Sequence, residues 1–260
     1  KRLILLSDES VAEQQVIWGE TGNTVWLNPN PTTDSEIKNA VGNVKKFLQK
    51  TNLEYNELLA LLDLKFINPT GNITIRHFDP SCDTDKKVVL VLNATKLDRI
   101  HRFLRLWRKL KGWKMWELDL VIRHPQLGNG SLNESFLINL FYFSQLKNKL
   151  KGKTTVEQVC ALFGNLNTET RFTKLYEKRE DALYQNLFLN KRLFQPLDIH
   201  FLLDPATGDL PVGETITAYQ SVVLAALGIG EADLVLLQAL TKASDGTPYI
   251  TDDLTLANLS

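Results

Sequence analysis

Two amphipathic patterns joined at a glycine constrain the fold of this chain more than any other feature of its sequence. In residues 97–110, apolar side chains recur every three or four positions, which is the spacing of one face of an α-helix. The apolar positions are Leu97, Ile100, Phe103, Leu104, Trp107 and Leu110. A second apolar pattern starts at Trp113, and Gly112 between the two can adopt the positive φ that often ends a helix. The segment is therefore predicted to form a helix, a tight corner and a second helix.

A corner residue followed five positions later by an acidic residue recurs along the chain. The pairs are Asn52 and Glu57, Gly112 and Glu117, Gly152 and Glu157, and Gly228 and Asp233. An acid in the first turn of the helix after each corner would complement the helix dipole. Many helical proteins turn corners in this way, and the copies lie at irregular intervals. The pattern therefore indicates helical hairpins rather than a regular solenoid.

Residues 73–92 are the one region where β structure is predicted. Apolar and polar residues alternate in residues 73–78, and residues 88–92 are apolar and rich in β-branched side chains. Residues 175–189 are predicted to be partly helical. The predicted fold class is all-α: an irregular array of helical hairpins, with one small β-hairpin near residues 73–92.

The chain as a whole carries no formal net charge. The 260 residues include 30 basic and 30 acidic side chains, so no global charge attracts the chain to nucleic acid or to an anionic membrane surface. The most apolar stretch, residues 136–143, is too short to cross a bilayer and is predicted to be a buried helix. No membrane span is expected in this chain.

The chain is long enough to bury a substantial core. It lacks an initiating methionine and ends within an apolar pattern, so residues 1–260 are predicted to be a fragment of a larger helical domain. One candidate division separates N-terminal helices in residues 1–51 from a body of helical hairpins in residues 52–260.

The sequence contains no motif that is typical of catalysis or of metal binding. HExxH, GxSxG, P-loop and GxGxxG patterns are missing, and no histidine lies at ligand spacing from a cysteine or carboxylate cluster. The four histidines are His77, His101, His124 and His200. Asp79, Asp83 and Asp85 resemble a sparse cation loop but lack the glycine and glutamate of an EF-hand, so they are expected to cap turns. We therefore predict no catalytic, cofactor-binding or metal-binding residue, and no enzyme activity.

The two cysteines are far apart in the sequence and form no CxxC motif. Free cysteine behaves as a small apolar side chain. Cys82 and Cys160 are therefore expected to be reduced and at least partly buried.

Basic residues interleave with aromatic ones in residues 97–114, which is a pattern that would suit single-stranded nucleic acid. The basic residues are Arg99, Arg102, Arg105, Arg108, Lys109, Lys111 and Lys114. The aromatic side chains, however, belong to the apolar stripes and are predicted to lie in the core. The cations are then expected to pair with acids on neighbouring helices or to face solvent, and no nucleic-acid partner is predicted.

Residues 97–110, LDRIHRFLRLWRKL, are similar nearly letter for letter to a block, LDRIHRFIRLWRKLGW, of the A components of bacterial insecticidal toxin complexes (Tc toxins). Residues 55–69 resemble the Y-x-E-L-L…F-V-N-P segment of that family, and residues 187–190 resemble part of its LYxxLFLN motif. Parts of the pattern are shared with the salmonella virulence-plasmid A protein. The resemblance covers residues 55–240; Lys111 is an extra residue before the corner.

This resemblance implies a structural role without catalysis. An A component is a large bell-shaped homopentamer in which a mostly helical shell encloses a pore-forming channel that translocates protein. The chain would be a segment of that shell, secreted or on the bacterial cell surface. Its partners would be further copies of the parent protein, other toxin-complex subunits and a host-cell surface receptor.

Two other classes of function remain open at this point. One is a stand-alone helical module that binds a partner protein, as an adaptor or virulence factor, and an exposed apolar groove would favour it. The other is an enzyme with an unrecognised site, which is the least favoured. A deep pocket that holds His101 or His200 beside a buried carboxylate would favour the enzyme.

Overall fold

A computed structural model describes residues 10–150, 154–173, 178–242 and 244–260. Its α-helices are α1 (Val11–Ile17), α2 (Asp34–Asn39), α3 (Val44–Thr51), α4 (Tyr55–Leu62), α5 (Ala94–Lys109), α6 (Met115–Arg123), α7 (Glu134–Lys149), α8 (Val156–Ala161), α9 (Leu183–Phe188), α10 (Gln220–Leu227) and α11 (Glu231–Gln238). Short 3₁₀ helices span Thr84–Lys86 and Ile199–Phe201, and the strands are β1 (Ile75–His77), β2 (Lys87–Val89), β3 (Arg171–Thr173) and β4 (Lys178–Glu180). Helices dominate the fold, as predicted.

Two compact units make up the described chain. The first consists mainly of residues up to 144, and the second mainly of residues from 145 onward. Their boundary differs from the division between residues 1–51 and 52–260 that the sequence suggested.

The predicted β-hairpin is present in the first unit. β1 and β2 pair antiparallel, with Ile75 opposite Val89 and His77 opposite Lys87. β2 is buried along its length, and Val88 packs with Ile37 and Ala40 of the α2 region. This small antiparallel sheet confirms the prediction for residues 73–92.

A second two-stranded sheet, formed by β3 and β4, makes the chain helix-dominated rather than strictly all-α. β4 lies where residues 175–189 were predicted to be partly helical; α9 covers the later part of that range, and residues 174–177 lie outside the described chain. The sheet could not be recognised from apolar alternation because its strands are largely charged. Arg171 and Glu180 instead pair at 2.6 Å.

The predicted helix, corner and second helix correspond to α5, Gly112 and α6. Gly112 adopts a φ of 82°, and α6 begins three residues later. The apolar stripe of α5 is buried at Leu97, Ile100, Phe103 and Leu104, whereas Trp107 and Leu110 are only half-buried.

The acidic residue after a corner caps the helix that follows it. The carboxylates of Glu57, Glu117 and Asp233 accept hydrogen bonds from the backbone N–H groups of Glu54, Lys114 and Gly230, at 2.9, 2.7 and 3.0 Å. The corner residues Asn52, Gly112 and Gly228 all have positive φ. In these three copies the acid therefore holds an N–H group that would otherwise lack a partner inside the helix.

The fourth copy differs. Gly152 lies outside the described residues, and in α8 Gln158, not Glu157, accepts the hydrogen bond from the backbone N–H of Thr155 at 2.9 Å. Gln158 occupies the position that the acids hold in the other three helices, because α8 begins one residue later relative to the corner. Glu157 accepts instead from the side chain of Asn167 at 2.6 Å.

Two buried aspartates of the first unit connect helices to neighbouring segments. Asp119 of α6 is 5% exposed; its Oδ1 accepts the backbone N–H of Phe66 at 2.7 Å, and its Oδ2 accepts Arg123 Nε at 2.9 Å. Asp98 of α5 accepts from Gln14 of α1 at 3.4 Å and pairs with Arg102 at 3.3 Å. A buried carboxylate is tolerated only when such partners are present, so these contacts fix the positions of the segments that supply them.

An aromatic stack forms the centre of the second unit. The rings of Tyr184 and Phe188 of α9 lie 5.2 Å apart, and Phe188 stacks on Phe201 at 5.3 Å. The Tyr184 hydroxyl donates to the Phe201 carbonyl at 2.7 Å, and burial raises the pKa of that hydroxyl. α10 packs on α9 beside this stack.

The cysteine prediction was half right. Cys160 is buried, and burial, followed by the charge of Glu157, raises the pKa of its thiol to about 12. Cys82 is exposed, because it lies in the turn between β1 and β2 rather than against the core. Both cysteines are free.

Across the described residues, no single helix is long and apolar enough to cross a membrane. α10 and α11 together meet the length and composition for a span, but they are bent by 99° at the break between them.

Substitution of Asp119 tests the buried contact of α6. Asp119→Ala leaves the Phe66 N–H without its acceptor and removes one partner of Arg123, and we expect it to lower the free energy of unfolding of the first unit by about 3 kcal/mol. All five tryptophans lie in this unit, so tryptophan fluorescence during urea unfolding reports on it alone. Asp83→Ala, in an exposed turn, is the control and should change the value by less than about 0.5 kcal/mol. Equal effects of the two variants would contradict the role of Asp119.

Gly112→Ala tests the corner between α5 and α6. A methyl group at Gly112 would meet no atom within 4 Å, so the substitution adds backbone strain and no clash. We expect a loss of about 1 kcal/mol by the same fluorescence measurement, because an alanine at positive φ is strained. Lys111→Ala, which leaves the glycine in place, should be near neutral.

Candidate functional site

An open pocket of about 360 Å³ lies in the first unit, where one side of α5 meets the C-terminal ends of α1 and α3. Its lining consists of Ile17, Trp18, Lys50, Thr51, His101, Leu104, Arg105 and Arg108. Four of these come from α5 at helical spacing, on a face beside the buried apolar stripe. The pocket combines several cationic groups with an apolar wall.

Lys50 and Arg108 are held by the C-terminal ends of helices. Arg108 donates to the carbonyls of Thr51 and Asn52, at the end of α3, and Lys50 donates to the carbonyls of Trp18 and Gly19, at the end of α1. The last carbonyls of a helix have no partner inside it and carry the negative end of its dipole. These two cations therefore satisfy helix ends as well as lining the pocket.

Glu20 compensates further positive charge beside the pocket. Its buried carboxylate pairs with Lys50 at 3.1 Å and with Lys46 at 3.3 Å, and it accepts from Asn23 at 2.7 Å. Burial acts to raise the pKa of Glu20, but the hydrogen bonds from Asn23 and Lys50 and the charges of both lysines together lower it. Glu20 is therefore ionised at neutral pH.

His101 and Arg105 form the remaining polar part of the pocket. Arg105 Nη1 lies 3.5 Å from His101 Nε2, which is the one hydrogen bond of Arg105 within the described chain. Burial lowers the pKa of His101, and the charges of Arg105 and Arg102 lower it further, against an opposing effect of Asp98. His101 is therefore neutral at pH 7, and its Nε2 can accept from Arg105 when the proton is on Nδ1.

The basic residues of α5 were expected to pair with acids on neighbouring helices or to face solvent, and Arg108 is exposed as expected but also binds the backbone. Arg102 pairs with Asp98 of its own helix and donates to the Leu132 carbonyl, and Arg108 binds carbonyls. Arg99 lies over the ring of Phe66 at 5.8 Å. Charge alone could not show this, because backbone carbonyls at helix ends compete with carboxylates as acceptors.

The aromatic side chains of residues 97–114 contact other residues of the protein. Phe103 is fully buried, Trp107 and Trp113 are half-buried, and Trp107 Nε1 donates to the Trp113 carbonyl at 2.7 Å. Trp113 also packs against Phe143, with ring centroids 5.9 Å apart. The prediction that these aromatic rings lie in the core is therefore confirmed for Phe103 and only in part for Trp107 and Trp113.

A second group of titratable side chains lies in the second unit around His200. His200 Nδ1 is 2.8 Å from Asp198 Oδ1, its Nε2 is 3.8 Å from Glu214 Oε1, and its ring stacks on Tyr219 with centroids 4.4 Å apart. Tyr219 donates to Glu214 at 2.9 Å, and burial, with this bond and the nearby carboxylates, raises the pKa of its hydroxyl. The group joins two segments of the unit.

The condition set above for an enzyme site is met only in part at His101, whose pocket is open rather than deep, and is not met at His200. The side chains of Asp198 and Glu214 are 28% and 31% exposed, so His200 has no buried carboxylate beside it. Asp98, which is buried near His101, uses its oxygens for Gln14 and Arg102. His77 is exposed on β1, and the His124 backbone carbonyl accepts from the turn that follows α6.

Within the described ranges, no group of three or more histidine, cysteine or acidic side chains could hold a metal ion. Asp79 accepts from the backbone N–H of Ser81 at 2.9 Å, which confirms the turn-capping role expected of it. Asp85 pairs with Lys45 at 3.6 Å.

The sequence did not predict this pocket. Arg105 and Arg108 were noted among the basic residues of the segment and His101 among the histidines, whereas Lys50 and Trp18, which reach the pocket from α3 and α1, were not singled out. The position of Lys50 in the last turn of a helix was a weak signal for carbonyl binding. No local pattern indicates which helix end it would reach.

Comparison of the chain with protein-family models, with curated proteins and with solved structures found no match. The resemblance of α5 to the toxin block therefore stays a prediction.

The neutral state of His101 gives stability a defined pH dependence. Because its folded pKa lies below the usual value of 6.5, the unfolded chain binds the proton first as the pH falls. The contribution of His101 is fully present above about pH 7 and is lost as the pH drops from 6.5 toward the folded pKa. His101→Gln should therefore reduce the loss of unfolding free energy between pH 7 and about pH 5, measured by urea unfolding with tryptophan fluorescence.

His77→Gln is the matched control, since His77 is exposed on β1. With His77→Gln, the free energy of unfolding should depend on pH as it does in the unsubstituted chain. If the free energy of unfolding of His101→Gln depends on pH as steeply as that of the unsubstituted chain, His101 does not contribute this pH dependence.

Proposed function

We propose that the chain is a non-catalytic segment of the helical shell of a Tc-toxin A component. The proposal rests on how residues 97–110, which resemble the family, contact the rest of the first unit. Its arginines Arg102 and Arg108 donate to backbone carbonyls of neighbouring segments, and its apolar stripe is buried. A segment whose charged and apolar faces both serve packing suits a scaffold.

The proposal includes an arrangement of irregular helical hairpins, supported by the capped corners at Asn52, Gly112 and Gly228. In the parent protein these hairpins would form part of a pentameric casing around the channel. Other toxin-complex subunits and a host-cell surface receptor are the proposed partners, and secretion or display on the bacterial surface is the proposed location.

Negative-stain electron microscopy of the parent protein tests this function. The protein is purified from the producing bacterium, from both the culture medium and the cell surface, and labelled with Fab fragments raised against this chain. Bell-shaped particles with fivefold symmetry and Fab fragments on their outer wall are expected. Pre-immune Fab fragments are the control, and a monomeric particle without a channel would refute the proposal.

A stand-alone protein-binding module is the second candidate, and one observation favours it. The prediction that residues 136–143 form a buried helix was only partly right, because α7 presents Ile138, Phe141 and Tyr142 on one exposed stripe, with Phe141 58% and Tyr142 64% exposed. Exposed apolar stripes of this kind commonly mark interfaces. An interface between subunits of a shell would use the same stripe.

The double substitution Phe141→Ser and Tyr142→Ser tests whether this stripe lies between shell subunits. If it does, we expect the fraction of parent protein in fivefold particles to fall and the monomer to increase, as measured by light scattering after size-exclusion chromatography. Unchanged fivefold assembly would show that the stripe does not lie between subunits, and a parent protein that is monomeric before substitution would favour the adaptor. Asn148→Ser, an exposed polar change on the same helix, is the control.

A further inference from the structure

We propose that the pocket between α1, α3 and α5 binds a small monocarboxylate that carries an apolar body. This binding site is independent of the shell function and does not rest on it. The size of the pocket is the first argument, because about 360 Å³ falls within the range of roughly 300–1,000 Å³ that is typical of small-molecule sites.

The balance of charge in the pocket calls for one anionic group. Lys50 is neutralised by Glu20 and by the carbonyls that end α1, and Arg108 is held by the carbonyls that end α3. The partner of Arg105 within the described chain is His101, which is neutral at pH 7 because burial and Arg105 lower its pKa. Among the described residues, Arg105 is therefore the lining cation that has neither a carboxylate nor a backbone carbonyl as its partner.

The donors of Arg105 fit a carboxylate. A guanidinium carries five N–H donors in a planar fork, and one of its nitrogens, Nη1, faces His101. The remaining donors match the two oxygens of a carboxylate, a pairing in which charge strengthens both hydrogen bonds. His101, by accepting from Nη1, orients the guanidinium at the edge of the pocket.

Higher negative charge is disfavoured by the helix ends. α1 and α3 both end at the pocket, and the C-terminal end of a helix repels anions. Lys50 and Arg108 offset this effect without reversing it. One negative charge therefore suits the site better than the two of a phosphate monoester.

The apolar residues of the pocket lining indicate that the part of the ligand outside its carboxylate is apolar. Trp18 and Leu104 line the pocket and are anchored in the core, and Ile17 lies beside them as an exposed apolar side chain. The Trp18 indole N–H is already bonded to Gln14 at 3.2 Å, so its ring offers apolar surface here. A hydrocarbon or aromatic body on the carboxylate would cover this wall and remove it from water.

The test uses 3-phenylpropionate with the intact chain. Calorimetric titration at pH 7 should show saturable binding of 3-phenylpropionate, at least tenfold weaker binding of the neutral 3-phenylpropionamide, and weaker binding of phenyl phosphate. Arg105→Gln should weaken 3-phenylpropionate binding by about tenfold or more, since a charge-assisted pair is lost. Lys109→Gln, the same charge change at an exposed α5 position outside the pocket, should leave binding unchanged.

Several outcomes would overturn the inference. They are absence of 3-phenylpropionate binding up to 10 mM, equal binding of the amide, tighter binding of phenyl phosphate, and equal effects of Arg105→Gln and Lys109→Gln. Arg105 lies outside the core, so its substitution should leave the fold intact, and an unchanged circular dichroism spectrum would establish this. Arg105→Lys, which keeps the charge but not the fork, should retain part of the affinity.

Discussion

Hydrogen bonds between charged side chains and the backbone of neighbouring segments determine how the first unit is assembled. Asp119 accepts the N–H of Phe66, and Arg102 and Arg108 donate to the carbonyls of Leu132 and Thr51. An apolar interface alone would allow a helix to slide or rotate at small cost, whereas each of these bonds has one geometry. Removing a partner from a buried group costs more than the bond itself contributes, so these contacts select one arrangement of the helices.

Specific hydrogen bonds to the backbone also stabilise the corners between helices. A carboxylate at the third helical position binds the backbone N–H at the start of the helix, after a residue that takes positive φ to turn the chain. The turn and the cap are adjacent in sequence, so they can form before any tertiary contact. Long-range bonds then need to fix only the relation between helices that are already defined.

The pocket follows from this way of joining helices. α1 and α3 end against α5, and the cations that satisfy their last carbonyls come from α3 and α5. Arg105 and His101 line the cavity beside these helix ends and contact each other at 3.5 Å. The packing of two helix ends against α5 thus forms a pocket in which the Arg105 guanidinium can bind a ligand.

The sequence by itself determined the local structure. The apolar spacing of α5, the glycine corner and the first β-hairpin were all predictable, because each depends on residues that are near one another in the chain. The strands β3 and β4 escaped prediction because an ion pair between Arg171 and Glu180, rather than apolar alternation, accompanies their pairing. Only the tertiary structure decided that Asp98 is buried, that Arg108 binds a carbonyl, and that Lys50 and Trp18 meet His101 in one pocket. The physical reason is that these contacts join segments far apart in the chain, and that backbone carbonyls, which are the same in every residue, leave no mark in the sequence.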